Sequence, residues 1–144
     1  MTNQPFITWQ KHWCVGVPVL DQEHRRLVER INLLFAGAWS RHVVLIGTFE
    51  KLEDELTRHM IHESEMLAGL GYHDVDGHRI GLETLSRQLG NMREKIIQMC
   101  RGGNDSINKE AETFLRQWIV DCLEGNDGHY AAWLRMKGLI PNNP

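Results

Sequence analysis

Residues 58–67, RHMIHESEML, place two histidines and two glutamates inside an otherwise apolar helical segment. The apolar residues before them recur at steps of three and four, which keeps side chains on one stripe of an α-helix. His59 and Glu63 continue that stripe, whereas His62 and Glu65 fall outside it. We therefore predict that His59 and Glu63 point into the core of the protein, and that His62 and Glu65 face solvent.

The same spacing recurs through four segments of the chain, and no proline interrupts residues 19–140. The alternation that is typical of strands is hard to find. We therefore predict an all-α fold, an antiparallel up-down four-helix bundle formed by residues 20–136. An extended N-terminal arm (residues 1–19) and a short C-terminal helical segment complete a single domain over residues 1–144. The predicted inward positions of the second segment are Leu45, Phe49, Leu52, Leu56, His59, Glu63, Met66 and Leu70.

The breaks between these segments are marked by turn-forming residues. Gly69 and Gly71 separate the second and third segments, and the run RGGND over residues 101–105 separates the third and fourth. Either Asp105 or Ser106 is placed to cap the fourth helix.

Composition excludes several classes of partner. The formal net charge of −3 gives no reason to expect nucleic acid or an anionic membrane surface as a partner. No apolar run approaches the roughly 18–20 residues that a membrane span needs, and the N-terminus does not resemble a signal peptide. Three cysteines are an odd number in no metal-binding spacing, so a disulfide framework is not expected. These features predict a soluble, cytoplasmic protein.

Ionisable residues on the inward stripes suggest a buried site. His24 lies on the stripe of the first segment and His78 on that of the third. Three helices thus each contribute an inward histidine, and Glu63 adds a carboxylate. They could be hydrogen-bonded core residues, or they could share a metal ion. Because burial of several unpaired ionisable groups costs several kcal/mol or more, a metal ion such as iron, zinc or manganese is a reasonable alternative.

Short motifs in a fixed order give the chain a resemblance to bacterial hemerythrins. The resemblance extends from Trp9 to Tyr130. The matching fragments are Trp9, Val15-Gly16-Val17, Leu20-Asp21-Gln22-Glu23-His24, Ile31-Asn32, His59 with Glu63, Gly71-Tyr72, His78, Trp118-Ile119 and Asp127-Gly128-His129-Tyr130.

The resemblance implies a ligand set. In that family five histidines, one glutamate and one aspartate hold two iron ions, both carboxylates bridge them, and one iron has an open position that binds dioxygen. In this sequence, His24 and His59 match the two-histidine iron, and Glu63 and Asp127 match the bridging carboxylates. His78 matches one ligand of the three-histidine iron.

Two positions depart from the family pattern. Leu82 and Cys122 stand where the family has the remaining two histidines. Leucine cannot bind a metal, whereas cysteine can bind one as a soft thiolate. The site could therefore hold two metals, one metal or a different cofactor, and Cys122 could be a ligand or a small core residue beside Leu82. His73 and His129 could compensate only through a loop rearrangement, and we expect both to be solvated.

Three functions follow as hypotheses. The resemblance implies a non-haem iron protein, not an enzyme, that binds dioxygen or another small diatomic ligand for storage, delivery or sensing. An altered-site relative would hold mononuclear iron, zinc or a cofactor that uses Cys122. A metal-free interaction module would retain the bundle only as a scaffold. The H-E-x-x-H pattern of zinc proteases and the Glu-x-x-His pairs of ferritin-like oxidases do not occur in the chain.

Overall fold

The structure is a computed structural model that describes residues 6–36, 42–101 and 107–140. Every regular element in these ranges is helical. None of these helices combines the length and apolar character needed to cross a membrane. The elements are a 3₁₀ turn (Lys11–Trp13), α1 (Pro18–Ala36), α2 (His42–Leu70), α3 (Val75–Arg101), α4 (Ile107–Val120), a π-helix (Asp121–Asn126) and α5 (Asp127–Met136).

The long helices pack as an antiparallel bundle, which confirms the predicted all-α fold. Only residues 71–74 separate α2 from α3, so the two helices must run in opposite directions. The first helix begins at Pro18, two residues before the predicted start, because proline is well suited to the first turn of a helix. The predicted turn and cap over residues 102–106 lie outside the described residues.

A layer of polar residues divides the core into two apolar clusters. Along α1 it separates Leu20 from Leu27, and along α2 it separates Leu56 from Leu67. All four of these leucines are buried. Among the described residues, the buried polar and charged ones are His24, His59, Glu63, His78 and Asp127.

The inward stripe of α2 follows the prediction as far as Glu63 and then departs from it. Leu67 is buried, whereas Met66 is half-buried and Leu70 is 42% exposed. A straight α-helix has 3.6 residues per turn, so its inward face drifts away from a strict seven-residue repeat. Successive steps of four, from His59 to Glu63 to Leu67, follow this drift. The inward assignment of Leu70 was therefore wrong, whereas Met66 packs against one of the two apolar clusters.

The N-terminal arm is fastened to the bundle by polar contacts. The side-chain amide of Asn32 exchanges two hydrogen bonds with the backbone of Ile7, at 2.7 and 2.9 Å. The backbone N–H groups of Val15 and Gly16 donate to the Asp21 carboxylate at 2.7 and 3.2 Å. The arm therefore lies against α1, next to the polar layer.

Gly71 ends α2 in a left-handed conformation, with φ of 78°. The next N–H, that of Tyr72, donates to the carbonyl of Leu67 at 2.9 Å, which closes the end of the helix. We predict that Gly71→Ala lowers the free energy of unfolding by about 1–2 kcal/mol, because a side chain disfavours this conformation. Urea unfolding measures the change.

Gly69→Ala is the matched control, since Gly69 lies within α2 and a Cβ there would meet no atom within 4 Å. This substitution should raise stability by up to about 1 kcal/mol, because alanine favours a helix more than glycine does. Equal effects of the two substitutions would contradict the assigned end of α2.

Candidate metal centre

Four buried side chains converge at the centre of the polar layer. His24 comes from α1, His59 and Glu63 come from α2, and Asp127 begins α5. One ligand atom from each lies within 4.8 Å of those from the other three. Each of these residues is at most 1% exposed. Nitrogen and oxygen donors from three helices therefore surround a single point.

The imidazole of His24 faces more partners than one hydrogen atom can serve. Its Nε2 lies 2.7 Å from His59 Nε2, 2.9 Å from Asp127 Oδ2 and 3.4 Å from Glu63 Oε2. A single N–H donates well to only one or two acceptors. A cation could be shared by all of these donor atoms.

Glu23 sets the orientation of His59. The Glu23 carboxylate lies 2.8 Å from His59 Nδ1 and 2.7 Å from Nδ1 of the exposed His62. Because a carboxylate accepts, Nδ1 of His59 carries a hydrogen, and Nε2 faces Glu63 Oε1 at 3.0 Å. A metal-binding histidine typically donates its outer N–H to a carboxylate in this way.

A π-helix brings Cys122 and Asp127 to the same face. Asp127 follows Cys122 by five positions, and an α-helix would point residues at this spacing in different directions. The wider turn of the π-helix brings them round to one side, and the N–H of Asp127 donates to the carbonyl of Cys122. Both side chains are consequently buried.

His78 and Tyr130 contact Glu63 on the other side of the cluster. His78 Nε2 lies 3.1 Å from Glu63 Oε1 and 4.0 Å from Asp127 Oδ1. The hydroxyl of the buried Tyr130 donates to Glu63 Oε2. Glu63 is therefore contacted by side chains from α1, α3 and α5, as well as by His59 from its own helix.

Leu82 and Cys122, the two predicted departures from the family pattern, belong to the same buried cluster. Leu82 and Cys122 are buried, and Cys122 Sγ lies 4.0 Å from Asp127 Oδ2. Burial, reinforced by the charges of Asp127 and Glu63, raises the pKa of the Cys122 thiol well above its ordinary value. This environment favours the protonated thiol in the absence of a metal. Ligation by Cys122 stays a prediction.

The charges of the cluster favour a cation between the two carboxylates. Burial alone lowers the pKa of His24, but Asp127 and Glu63 more than offset it and raise the pKa to about 10. Burial raises the pKa of Glu63, but hydrogen bonds from the surrounding histidines hold it well below its ordinary value. Burial and the Glu63 charge raise the pKa of Asp127. The site thus attracts positive charge, either a proton or a metal ion.

The residues present fit a bound metal ion. Asp127 Oδ1 is buried and has no hydrogen-bond partner among the described residues. A ligand bond would satisfy this oxygen, and would also separate the Nε2 atoms of His24 and His59. Two imidazoles and two carboxylates suit iron, zinc or manganese.

The structure brings most of the candidate residues together. His24, His59, Glu63 and Asp127 form one group, and His78 and Cys122 lie beside it. Their roles as metal ligands stay predictions. His73 and His129 are exposed, as expected of solvated histidines.

Sequence reasoning missed the roles of Glu23 and Tyr130. Tyr130 lies three residues after Asp127, a spacing that places both side chains on one face of a helix, so a signal was available. Glu23 lies beside His24 but off the apolar stripe. Its contact with His59 depends on how α1 and α2 pack, which the sequence pattern does not specify.

Comparison with known proteins identifies the family to which the chain belongs. Residues 15–134 match the family described as the Hemerythrin HHE cation binding domain. A bacteriohemerythrin of Stenotrophomonas maltophilia is 27% identical over 126 residues, covering 87% of this chain and 79% of the relative. A hemerythrin-like protein of Naegleria gruberi is 27% identical, covering 90% and 94% respectively. A myohemerythrin of Theromyzon tessulatum is 24% identical, covering 88% and 92%.

We predict that the chelator-treated protein loses stability as pH rises from 6.5 towards about 10, the ordinary and folded pKa values of His24. In this window the folded chain binds a proton at His24 that the unfolded chain releases, so the free energy of unfolding falls with pH. The stabilisation is fully present below pH 6.5. Urea unfolding at a series of pH values measures the slope.

His24→Gln is the matched control for this measurement. It lacks the titrating imidazole but retains every other ionisable group, so it should show a shallower fall over the same range. Identical slopes in the two proteins would contradict the role of His24 in holding the proton.

We predict that Glu23→Ala weakens metal binding by about 10–100-fold, as loss of a supporting hydrogen bond to a ligand generally does. The loss follows because His59 would no longer be held with Nε2 towards the site. Competition between the protein and a coloured chelator measures the affinity. Glu65→Ala, which alters an exposed acid on α2, serves as the control, and an equal effect of both substitutions would contradict the role of Glu23.

Proposed function

Since this chain belongs to the hemerythrin family, we propose that it is a non-haem iron protein that binds dioxygen or another small diatomic ligand. Storage, delivery or sensing of that ligand would be its role, rather than catalysis. The observation that carries this proposal is the buried group formed by His24, His59, Glu63 and Asp127, whose ligand atoms lie within 4.8 Å of one another.

These four residues would hold the iron. Iron would supply a redox-active centre with a position for a small ligand. The carboxylates of Glu63 and Asp127 balance its positive charge, and the imidazoles of His24 and His59 complete the donor set. Glu23 fixes the orientation of His59 from outside the site.

Burial restricts what can reach the centre. The four residues are at most 1% exposed, and apolar clusters lie on both sides of the polar layer. A ligand of several heavy atoms would have to displace packed side chains, which is costly in a close-packed interior. A diatomic molecule needs only a small fluctuation of the bundle, and the apolar surroundings also exclude bulk water.

The alternatives differ in the number and kind of metal ions. A two-metal arrangement would use His78 for a second ion, either alone or with thiolate ligation by Cys122. An altered-site arrangement would hold one ion, or a different cofactor that uses Cys122. A metal-free interaction module is disfavoured because it leaves Asp127 Oδ1 buried without a partner among the described residues. The cytoplasmic location stays a prediction.

The test is metal analysis of the purified protein together with its visible spectrum in air and under nitrogen. We predict bound iron and a visible absorption that differs between the two atmospheres. His24→Ala and His59→Ala should lose the iron, and chelation should lower the melting temperature of the unaltered protein because a ligand of the folded state is removed.

His73→Ala, which alters an exposed histidine, is the control and should retain the iron. A colourless protein that binds no added iron would contradict the proposed function. So would a melting temperature that is insensitive to chelator both in the unaltered protein and in His24→Ala, which is the outcome expected of a metal-free module.

A further inference from the structure

We infer that this chain holds one metal ion, and that hydrogen bonds from His78 and Tyr130 to Glu63 replace the contacts that a second ion would make. The inference rests on the proposed metal-binding function and specifies its stoichiometry. It also gives Tyr130 a role and reassigns His78 from ligand to hydrogen-bond donor.

We call the point between His24, His59, Glu63 and Asp127 the first metal position, and it has a complete donor set. His24, His59, Glu63 and Asp127 each direct one ligand atom towards a common point. Transition metal ions in proteins commonly take three or four protein ligands. This half of the site therefore needs no donor from His78, Cys122 or Tyr130.

A second metal position, on the His78 side of Glu63, has too few donor side chains. His78 is the only histidine on that side of the cluster among the described residues, and its Nε2 is outside the group of mutually close ligand atoms. Leu82 is completely buried and offers no donor. Cys122 Sγ lies 4.0 Å from Asp127 Oδ2, which belongs to the first metal position.

Each oxygen of the Glu63 carboxylate already has two partners. Its Oε1 has His78 Nε2 at 3.1 Å, and its Oε2 accepts the hydroxyl of Tyr130. A carboxylate offers about four lone-pair sites in all. His59 Nε2 lies 3.0 Å from Oε1, and His24 Nε2 lies 3.4 Å from Oε2. The hydrogen bonds from His78 and Tyr130 thus occupy lone-pair sites of Glu63 that a bridge to a second ion would require.

Charge also favours a single ion. The polar layer contains two buried carboxylates, Glu63 and Asp127, among the described residues. One divalent cation balances both, whereas a second would leave an excess of positive charge in the core, which carries a large desolvation cost. His78 and Tyr130 stabilise Glu63 without adding a cation.

Titration of the chelator-treated chain with Co(II) under nitrogen tests the stoichiometry. We expect about one Co(II) per chain and the electron paramagnetic resonance of an isolated high-spin ion. Two Co(II) ions per chain, with the magnetic coupling of neighbouring ions, would overturn this inference and leave the proposed function intact. Absence of binding by both Co(II) and Fe(II) would overturn both.

Two substitutions test the roles of the donors. His78→Ala and Tyr130→Phe should each retain one Co(II), with an affinity about 10–100-fold weaker because Glu63 loses a supporting hydrogen bond. Tyr72→Phe, a buried tyrosine that contacts Trp133 rather than the site, should leave the affinity unchanged. Complete loss of Co(II) in His78→Ala would make His78 a ligand and overturn the inference.

The double substitution Leu82→His with Cys122→His tests the reason for the missing second position. It should raise the stoichiometry to about two Co(II) per chain. If the double variant folds but still binds one ion, Leu82 and Cys122 are not the reason why the second metal position is missing. If the variant does not fold, the stoichiometry of the unaltered chain still decides the inference.

Discussion

Two imidazoles and two carboxylates share one buried layer between two apolar clusters, and the rest of the structure depends on that constraint. His24, His59, Glu63 and Asp127 are almost completely excluded from solvent. Any of them left unpaired would destabilise the fold by several kcal/mol. Each helix must therefore keep both its position along its axis and its rotation about that axis, so that the donor atoms meet. Apolar packing alone would tolerate a wider range of arrangements.

Several local features serve this requirement. The π-helix turns Cys122 and Asp127 to the same side, which an uninterrupted α-helix would not do at a spacing of five residues. Glu23 fixes the ring of His59, and Tyr130 and His78 hold the Glu63 carboxylate. Each of these contacts joins two different helices.

The sequence was sufficient to predict the architecture because apolar spacing and helix boundaries are local properties. Spacing also identified His24, His59, Glu63 and His78 as inward residues, and all four are buried. The position of Asp127 came from the family resemblance, since its burial depends on the π-helix, which spacing did not reveal. The pairing of Glu23 with His59 depends on how two helices pack, and no single-helix pattern contains that information.

The family relationship supports iron and a small ligand, and we predict that Leu82 and Cys122 replace two histidines of a second metal position. The most direct test of the convergent site is a crystal structure of the iron-loaded protein, measured at the iron absorption edge. We expect one anomalous density peak, from an iron ion bonded to Nε2 of His24 and His59 and to the carboxylates of Glu63 and Asp127. Iron bound elsewhere, or these four side chains directed into solvent, would contradict it.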